Sequence, residues 1–427
     1  MTFDPNLWRA SSHETFGAQP FGADLAVDLA IIGGGFSGCA AAVQAAHDGA
    51  SVCVLEAETI GHGGSGRNVG LVNAGLWLPP DAVIAQMGQE RGARLIATLA
   101  EAPRRVFDLI QRENIACEAT RNGTLHLAHA PSGLRDLRER HRQGIALGAP
   151  LRLLDKAETD DRTGSTAFHG ALFDARAGTI QPLSYVRGLA RAAVRLGARI
   201  HEKSAVTRLE RQGAQWVLSC NSNRLRARRI LVATNAYHLG IVDPFSPRIT
   251  AVHYCQYATD PLPETIRCAI LAGGEGCWDT ALVMSSLRVD QAGRLILGGI
   301  GNGDGCGRAI HAAWARRKLA SLYPQLKHHP FRYGWSGRIA MTHDHIPKIV
   351  AFGPDAYACF GYSGRGIGPG TVFGTQAAIA LLSGSEDPLP VQPIPHHPER
   401  WSRTRSVFYE AGACLVHTLS ETRATRS

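Results

Sequence analysis

The sequence predicts a mixed α/β protein, in which a βαβ-type unit is joined to a second unit richer in strands. Three observations predict it. An apolar strand, a glycine-rich turn, an alanine-rich helix and a second apolar strand follow one another before residue 56, which is the order of a βαβ unit. Strand-like alternation then dominates residues 250–259 and 282–297. The length, 427 residues, allows two or three domains at roughly 100–200 residues each.

Composition removes several function classes. With 44% hydrophobic and 19% charged residues, intrinsic disorder is excluded for most of the chain. The N-terminal stretch carries Asp4, Arg9, Glu14 and Asp24 without an apolar run, so neither a secretory signal nor an anchor is expected. No stretch approaches the roughly 18 apolar residues of a membrane helix. Ten cysteines occur without a C-x-x-C pair, which argues against a disulfide framework and a structural zinc site and favours a cytoplasmic location. The net charge of +9 raises a nucleic-acid reading, but the basic residues of 135–142 and 187–199 are interleaved with acids or alanines. Such patterns are solvated faces, and no nucleic-acid partner is expected.

The elements follow in order. Residues 27–32 (VDLAII) form a buried strand, Gly33-Gly34-Gly35-Phe36-Ser37-Gly38 the turn, and a helix runs to about His47 before Asp48-Gly49 breaks it. A strand over 51–55 ends at Glu56. Gly33 permits the tight turn, Gly35 lets a pyrophosphate approach the backbone, and Gly38 lets helix pack on strand. The helix N-terminus offers amides to the phosphates, and Glu56 stands where an acid binds ribose hydroxyls. Residues 85–115 read as helical, 123–129 as a strand and 134–147 as a polar helix. A second mixed block holds 179–182, a helix over 184–196, a strand over 198–202, strands around Val206 and Trp216, and an apolar strand over 229–234. After the strand-rich stretch come a glycine cluster (298–307), a helix over 308–322, a turn-rich run (335–347), a strand (356–360), a glycine loop (361–370) and a helix over 371–382. The tail after Asp387 reads as a wrap or a partly disordered segment.

The fingerprint does not separate NAD from FAD. The loop that follows, Gly63–Gly70 (GGSGRNVG), is either a surface loop or a small-residue path beside a planar ring. Six motifs in order decide between them by resemblance. IIGGGFSG with Glu56, GGSGRNVG, residues 178–202 (GTIQPLSYVRGLARAAVRLGARIHE), LVATNAY (231–237), the W-S-G-x4-T-x-D-x2-P run (335–347) and GYSGRGIGPGT (361–371) resemble the glycine and D-amino-acid oxidase superfamily of FAD proteins. The resemblance is closest to its gamma-glutamylputrescine oxidoreductase-like branch and covers roughly residues 27–384.

The resemblance implies a Rossmann-like FAD-binding domain assembled from residues 1–85, 150–240 and 335–395. A substrate domain on a mixed, mostly antiparallel sheet would come from 86–149 and 241–334, with 396–427 as a tail. It implies that Gly33, Gly35, Phe36, Ser37 and Gly38 hold the pyrophosphate, and Glu56 the ribose. Ser65, Arg67, Asn68, Val69 and Gly70 would line the ribityl chain and ring, with Ala57 and Gly64 as further cofactor-binding residues. Val206 would meet the adenine, Ala233, Thr234 and Asn235 would close the far side, and Gly364, Arg365, Gly366 and Ile367 would face the flavin pyrimidine edge. Amides at the start of the last helix, aided by Arg365, suit the negative charge that reduction brings there.

Departures from the family pattern carry information. Where covalent members place a His or Cys, this chain has Arg67 and Gly337, so noncovalent FAD is expected. Where amino-acid-specific members place a carboxylate-clamping arginine, it has Ile339 beside Arg338, which favours an amine over an α-amino acid. Gly368 stands at the position of an oxygen-assisting lysine, which leaves oxidase and dehydrogenase both open. The implied reaction moves a hydride from the carbon next to a neutral amine nitrogen to flavin N5 and gives an imine that water hydrolyses. Its partners are a small amine or amino acid and oxygen or another electron acceptor. The candidate catalytic residues are Trp335, His343, Tyr362 and Arg365, with His253 and Tyr254 as weaker candidates. For each the plain alternative is packing or an exposed turn. Competing activities are a flavin monooxygenase or halogenase, a flavin-bearing subunit without turnover, and an NAD dehydrogenase.

Overall fold

A computed structural model describes residues 3, 6–241, 245 and 247–419. Two eight-stranded sheets organise it. The first runs in the order Lys348–Gly353, Ala356–Phe360, Asn223–Val232, Leu25–Ile32, Val52–Leu55, Arg199–His201, with the hairpin Val206–Gln212/Gln215–Cys220 attached to Asn223–Val232. Its centre is parallel: Leu25–Ile32 pairs with both Asn223–Val232 and Val52–Leu55. Parallel strands need cover on both faces, and the last four residues of Leu25–Ile32 are accordingly buried.

Helix Phe36–His47 supplies one cover, packed between helices Ile367–Ser383 and Pro182–Arg195. Two glycines set these approaches. A Cβ on Gly38 would lie 1.9 Å from the Gly33 carbonyl oxygen, and one on Gly374 would lie 2.1 Å from that of Ser37. The N-terminal turn and the C-terminal helix are therefore in backbone contact across more than three hundred residues of sequence.

The second sheet runs Phe331–Met341, Thr250–Pro261, Arg294–Ile300, Ser285–Val289, Gly276–Asp279, Thr124–Leu127, Ala171–Asp174, Leu151–Leu154. All its pairs are antiparallel except Gly276–Asp279 with Thr124–Leu127. Leu125, Leu127, Leu287, Leu295 and Leu297 pack beneath it with Trp314 and Leu319 of helix Arg308–Leu322.

Several sequence expectations are corrected. The supposed turn-rich run over 335–347 begins as the strand Phe331–Met341, paired along its length with Thr250–Pro261. Its glycines face Phe3 and Tyr254, which fill the missing side-chain space. This strand and Leu151–Leu154 and Ala171–Asp174 lie in the second sheet, so the segments 150–240 and 335–395 do not map wholly onto the first. The last family helix starts at Ile367, not at Thr371. Pro369 falls in its first turn, where a missing N–H costs nothing. The tail over 396–427 carries helix Ser402–Leu419, which packs on Thr250–Pro261 and helix Arg308–Leu322. The strand Lys348–Gly353 and the helix Lys156–Thr163 are additions to the expected elements, the helix being announced by its Asp155–Glu158 capping box and Gly164 stop.

Candidate active site

A cavity of about 800 Å³ opens where the strands Leu25–Ile32 and Val52–Leu55 end, and reaches across to the second sheet. The crevice beyond the carboxyl ends of parallel strands is the usual ligand position in such sheets. Gly33, Gly35, Phe36 and Ser37 line it at the N-terminus of helix Phe36–His47. Glu56 and Ala57 follow from the second strand, with Val206 nearby. Glu56 accepts from the Gly34 amide at 2.6 Å and the Glu58 amide at 2.9 Å. Burial pushes its pKa up despite these bonds.

The small-residue loop is pinned rather than free. Ser65 Oγ accepts from the Phe36 amide at 3.0 Å, and the Asn68 side-chain amide donates to the Gly64 carbonyl at 2.9 Å. Gly64, Ser65, Asn68 and Val69 line the cavity. So do Ala233, Thr234 and Asn235, whose last side chain accepts from the Gly361 amide at 3.0 Å. Tyr362, Gly364, Arg365, Gly366 and Ile367 complete this wall. The Tyr362 hydroxyl is 2.7 Å from Ser37 Oγ, joining the first and last motifs.

Six predicted residues lie outside the lining, His253 among them. Gly38 is used in the helix–strand contact, and Gly70 sits where a Cβ would meet the Ile180 carbonyl at 2.2 Å. Arg67 donates to the His62 and Ser336 carbonyls at 2.8 and 2.9 Å. Trp335 gives its indole N–H to the Arg67 carbonyl at 2.8 Å and packs edge-on against Trp8. It is a core residue behind the loop. His343 is exposed and faces Glu399 at 3.5 Å in the C-terminal wrap.

Arg365 lines the cavity with its guanidinium turned toward the second sheet. It bonds the Ala74 carbonyl and lies 5.2 Å from the Trp278 ring. Burial, with the Arg140 charge, pushes its pKa down to about 10, so it stays protonated at neutral pH.

The wall contributed by the second sheet was largely missed. His126 and Trp278 stack with centroids 4.9 Å apart. Burial, then the Arg140 and Arg365 charges, hold His126 well below its ordinary pKa, so the ring is neutral. Tyr254 and Gln256 also line the cavity, and the Tyr254 hydroxyl and Gln256 Oε1 are buried without a hydrogen-bond partner among the described residues. Alternation along Thr250–Pro261 places both on one face, while His253 points away from the cavity lining. Behind the loop, the buried Arg288 donates to the Ile180 carbonyl at 2.6 Å and lies beside the Val69 and Gly70 carbonyls.

A family model described as FAD dependent oxidoreductase (DAO) matches residues 28–378. The chain belongs to the DAO family. A probable oxidoreductase OrdL from Haemophilus influenzae is 30% identical over 370 residues, covering 84% of each chain. Gamma-glutamylputrescine oxidoreductase from Escherichia coli is 27% identical over 423 residues, covering 97% of this chain and 98% of that one. The solved glycine oxidase of Geobacillus kaustophilus superposes with a TM-score of 0.69 at 19% identity, over 88% of this chain and 100% of its own. That likeness supports the fold.

As a DAO protein the chain uses FAD, and its residues fit the cofactor. The helix N-terminus over Phe36–Ser37 suits a pyrophosphate, and Glu56 suits ribose hydroxyls. The second amide-rich helix start, at Ile367, opens on clear space: a Cβ on Gly364 would meet only Ile339 at 4.0 Å, and one on Gly366 nothing within 4 Å. No helix among the described residues is long and apolar enough to cross a membrane.

Proposed function

We propose that this protein oxidises the C–N bond of a small amine or amino acid bound between the FAD wall and the second sheet, with release of an imine that water hydrolyses. When bound, FAD accepts the hydride from the carbon next to the nitrogen. The carrying observation is the pairing of a nucleotide wall with an opposite wall of His126, Trp278, Tyr254 and Gln256, two of whose buried polar atoms are unsatisfied. A buried orphan acceptor or hydroxyl is costly unless a ligand meets it.

In this reading Gln256 Oε1 accepts from the substrate N–H and the Tyr254 hydroxyl orients the same group. Trp278 and His126 form a flat, water-excluding floor that aligns the reacting carbon. Burial of the amine against this apolar floor, with the Arg365 cation behind it, disfavours the ammonium and so favours the reactive unprotonated form. Arg365 steadies Trp278 by cation–π contact. Arg338 lines the same cavity over the Tyr237 ring at 4.5 Å, and is the candidate partner for a substrate carboxylate in place of Ile339. The amides at Ile367–Gly368 would take the negative charge that develops on reduction.

FAD is held noncovalently in this reading. A side chain at position 337 would overlap the Tyr254 hydroxyl, since a Cβ there falls 2.2 Å from it, and Arg67 is turned into backbone bonds. The test is anaerobic mixing of the yellow protein with polyamines, gamma-glutamylated amines, N-methyl amines and amino acids. Bleaching of the flavin bands by one of these classes is expected. Bleaching by NADPH instead, with no response to any amine, would overturn the reading.

A further inference from the structure

Outside the FAD wall, helix Ser402–Leu419 crosses helix Arg308–Leu322, and the crossing is polar. Three donor atoms converge there. His311 Nε2 and Glu410 Oε1 are 3.1 Å apart, Cys414 Sγ is 3.7 Å from His311 Nε2, and it is 3.6 Å from Glu410 Oε1. Glu410 and Cys414 share one face of their helix at i, i+4, and His311 is fully buried in the first turn of the facing helix. A tetrahedral Zn²⁺ with N and O ligands at roughly 2.0–2.2 Å and sulfur at about 2.3 Å spaces those ligand atoms about 3.3–3.7 Å apart. The three donors already stand close to that spacing.

A glycine backs onto the three donors. Gly307 precedes the helix, and a Cβ on it would lie 2.6 Å from His311 Nε2, 2.8 Å from Cys414 Sγ and 2.9 Å from Glu410 Oε1. All three donors thus face the Gly307 Cα, and a side chain there would push them apart, so glycine lets them keep their spacing. A supporting shell is present as well. His311 Nδ1 is 2.8 Å from His417 Nδ1, His417 stacks on Trp314 at 3.9 Å, and Glu410 Oε2 accepts from the Asn302 amide at 2.9 Å. When His311 gives its Nδ1–H to His417, its Nε2 lone pair faces a carboxylate oxygen, an arrangement that calls for a cation. The opposite tautomer, with Nε2–H donating to Glu410, is the metal-free form of the same network.

We propose that His311, Glu410 and Cys414 form a site for a borderline-soft divalent cation of the Zn²⁺ class, which pins the C-terminal helix onto the second unit. Three protein ligands leave the fourth position to water. The pinned helix also supplies Phe408, Tyr409 and Ala413 to the cavity lining, so the cation would hold a wall of the substrate space without touching the reaction. A second cluster, His343, His397 and Glu399, has a similar make-up. There, however, Glu399 already accepts from Arg405 at 2.6 Å and Thr250 at 3.0 Å, and the guanidinium supplies the positive charge.

The test uses tag-free, FAD-loaded full-length protein, treated with a chelator and dialysed against Zn²⁺, with metal counted by mass spectrometry and zinc-edge X-ray absorption reading the ligands. One Zn²⁺ per chain with one sulfur ligand is expected. Cys414→Ser should remove the sulfur signal and lower affinity at least about 100-fold, and His417→Gln should weaken binding roughly 10–100-fold while keeping the sulfur ligand. Cys268→Ser should bind as the wild type does, and retained FAD colour shows each variant folded. Unchanged affinity in Cys414→Ser, or a bound ion without sulfur, overturns the site. Cleavage within 402–419 by a limiting protease should slow at least about tenfold on Zn²⁺ addition, in the wild type and not in Cys414→Ser. A rate indifferent to the metal overturns the pinning role.

Discussion

Gln256 shows how a single side chain reports on function. Its Oε1 is buried without a partner among the described residues, a cost that the substrate N–H would remove in the proposed reading. Gln256→Leu should therefore leave thermal stability unchanged or raised, since deleting an orphan polar group is neutral or favourable. The same change should lower the second-order rate of flavin reduction about tenfold, the equivalent of about 1.4 kcal/mol. Stopped-flow reduction with the best substrate and a melting curve check both halves. At the nucleotide turn, Gly35 faces the Ser65 hydroxyl, 2.9 Å from where a Cβ would be. Gly35→Asp should break the Ser65–Phe36 bond and set a carboxylate against the pyrophosphate, yielding colourless protein; yellow colour after gel filtration would contradict the placement. The residues of this turn were legible because their constraints are local. Trp335 and His343 were misplaced for the opposite reason: a tryptophan in a motif reads the same whether its ring walls a pocket or fills the core behind it.

At the scale of elements, helix Phe36–His47 and helix Ile367–Ser383 meet through Gly374, whose would-be Cβ lies 2.1 Å from the Ser37 carbonyl oxygen. Gly374→Val must push the two backbones apart, and backbone cannot yield as a side chain does. We expect a loss of at least about 3 kcal/mol, the upper end of overpacking costs, together with weaker FAD retention because Ser37 belongs to the pyrophosphate turn. Urea unfolding and flavin content measure the two effects. Strand pairing explains the elements that sequence reading misjudged. Phe331–Met341 contains two glycines and reads as turns, yet its pairing with Thr250–Pro261 supplies the hydrogen bonds and neighbouring side chains fill the gaps. Local propensity was overridden by a partner about eighty residues away in sequence.

Across the whole molecule, buried neutral histidines couple stability to pH. His126 is only 8% exposed and is held well below its ordinary pKa by burial, then by Arg140 and Arg365. Its folded pKa is depressed, so as pH falls the unfolded chain takes up the proton first. The stability contribution is complete above about pH 6.5 and is lost below it, at up to about 1.4 kcal/mol per pH unit. Urea midpoints at about pH 7.5 and about pH 5.5 should fall more steeply for the wild type than for His126→Phe. Equal slopes would show that His126 is protonated alike in both states.

The amino-acid sequence by itself determined the nucleotide wall. Strand, turn, helix and acid lie within a few tens of residues, and their spacing is set by the chain's own geometry. It also showed that the FAD motifs are scattered, from Gly33 to Ile367. Only the tertiary structure decided the facing wall and the crossing at His311, Glu410 and Cys414. Period-two alternation marks two faces of a strand without saying which one meets the cofactor, and no C-x-x-C spacing announces ligands that lie about a hundred residues apart. Those positions acquire chemistry when sheet pairing and helix packing bring distant side chains to one point, an outcome of long-range packing rather than of any local pattern.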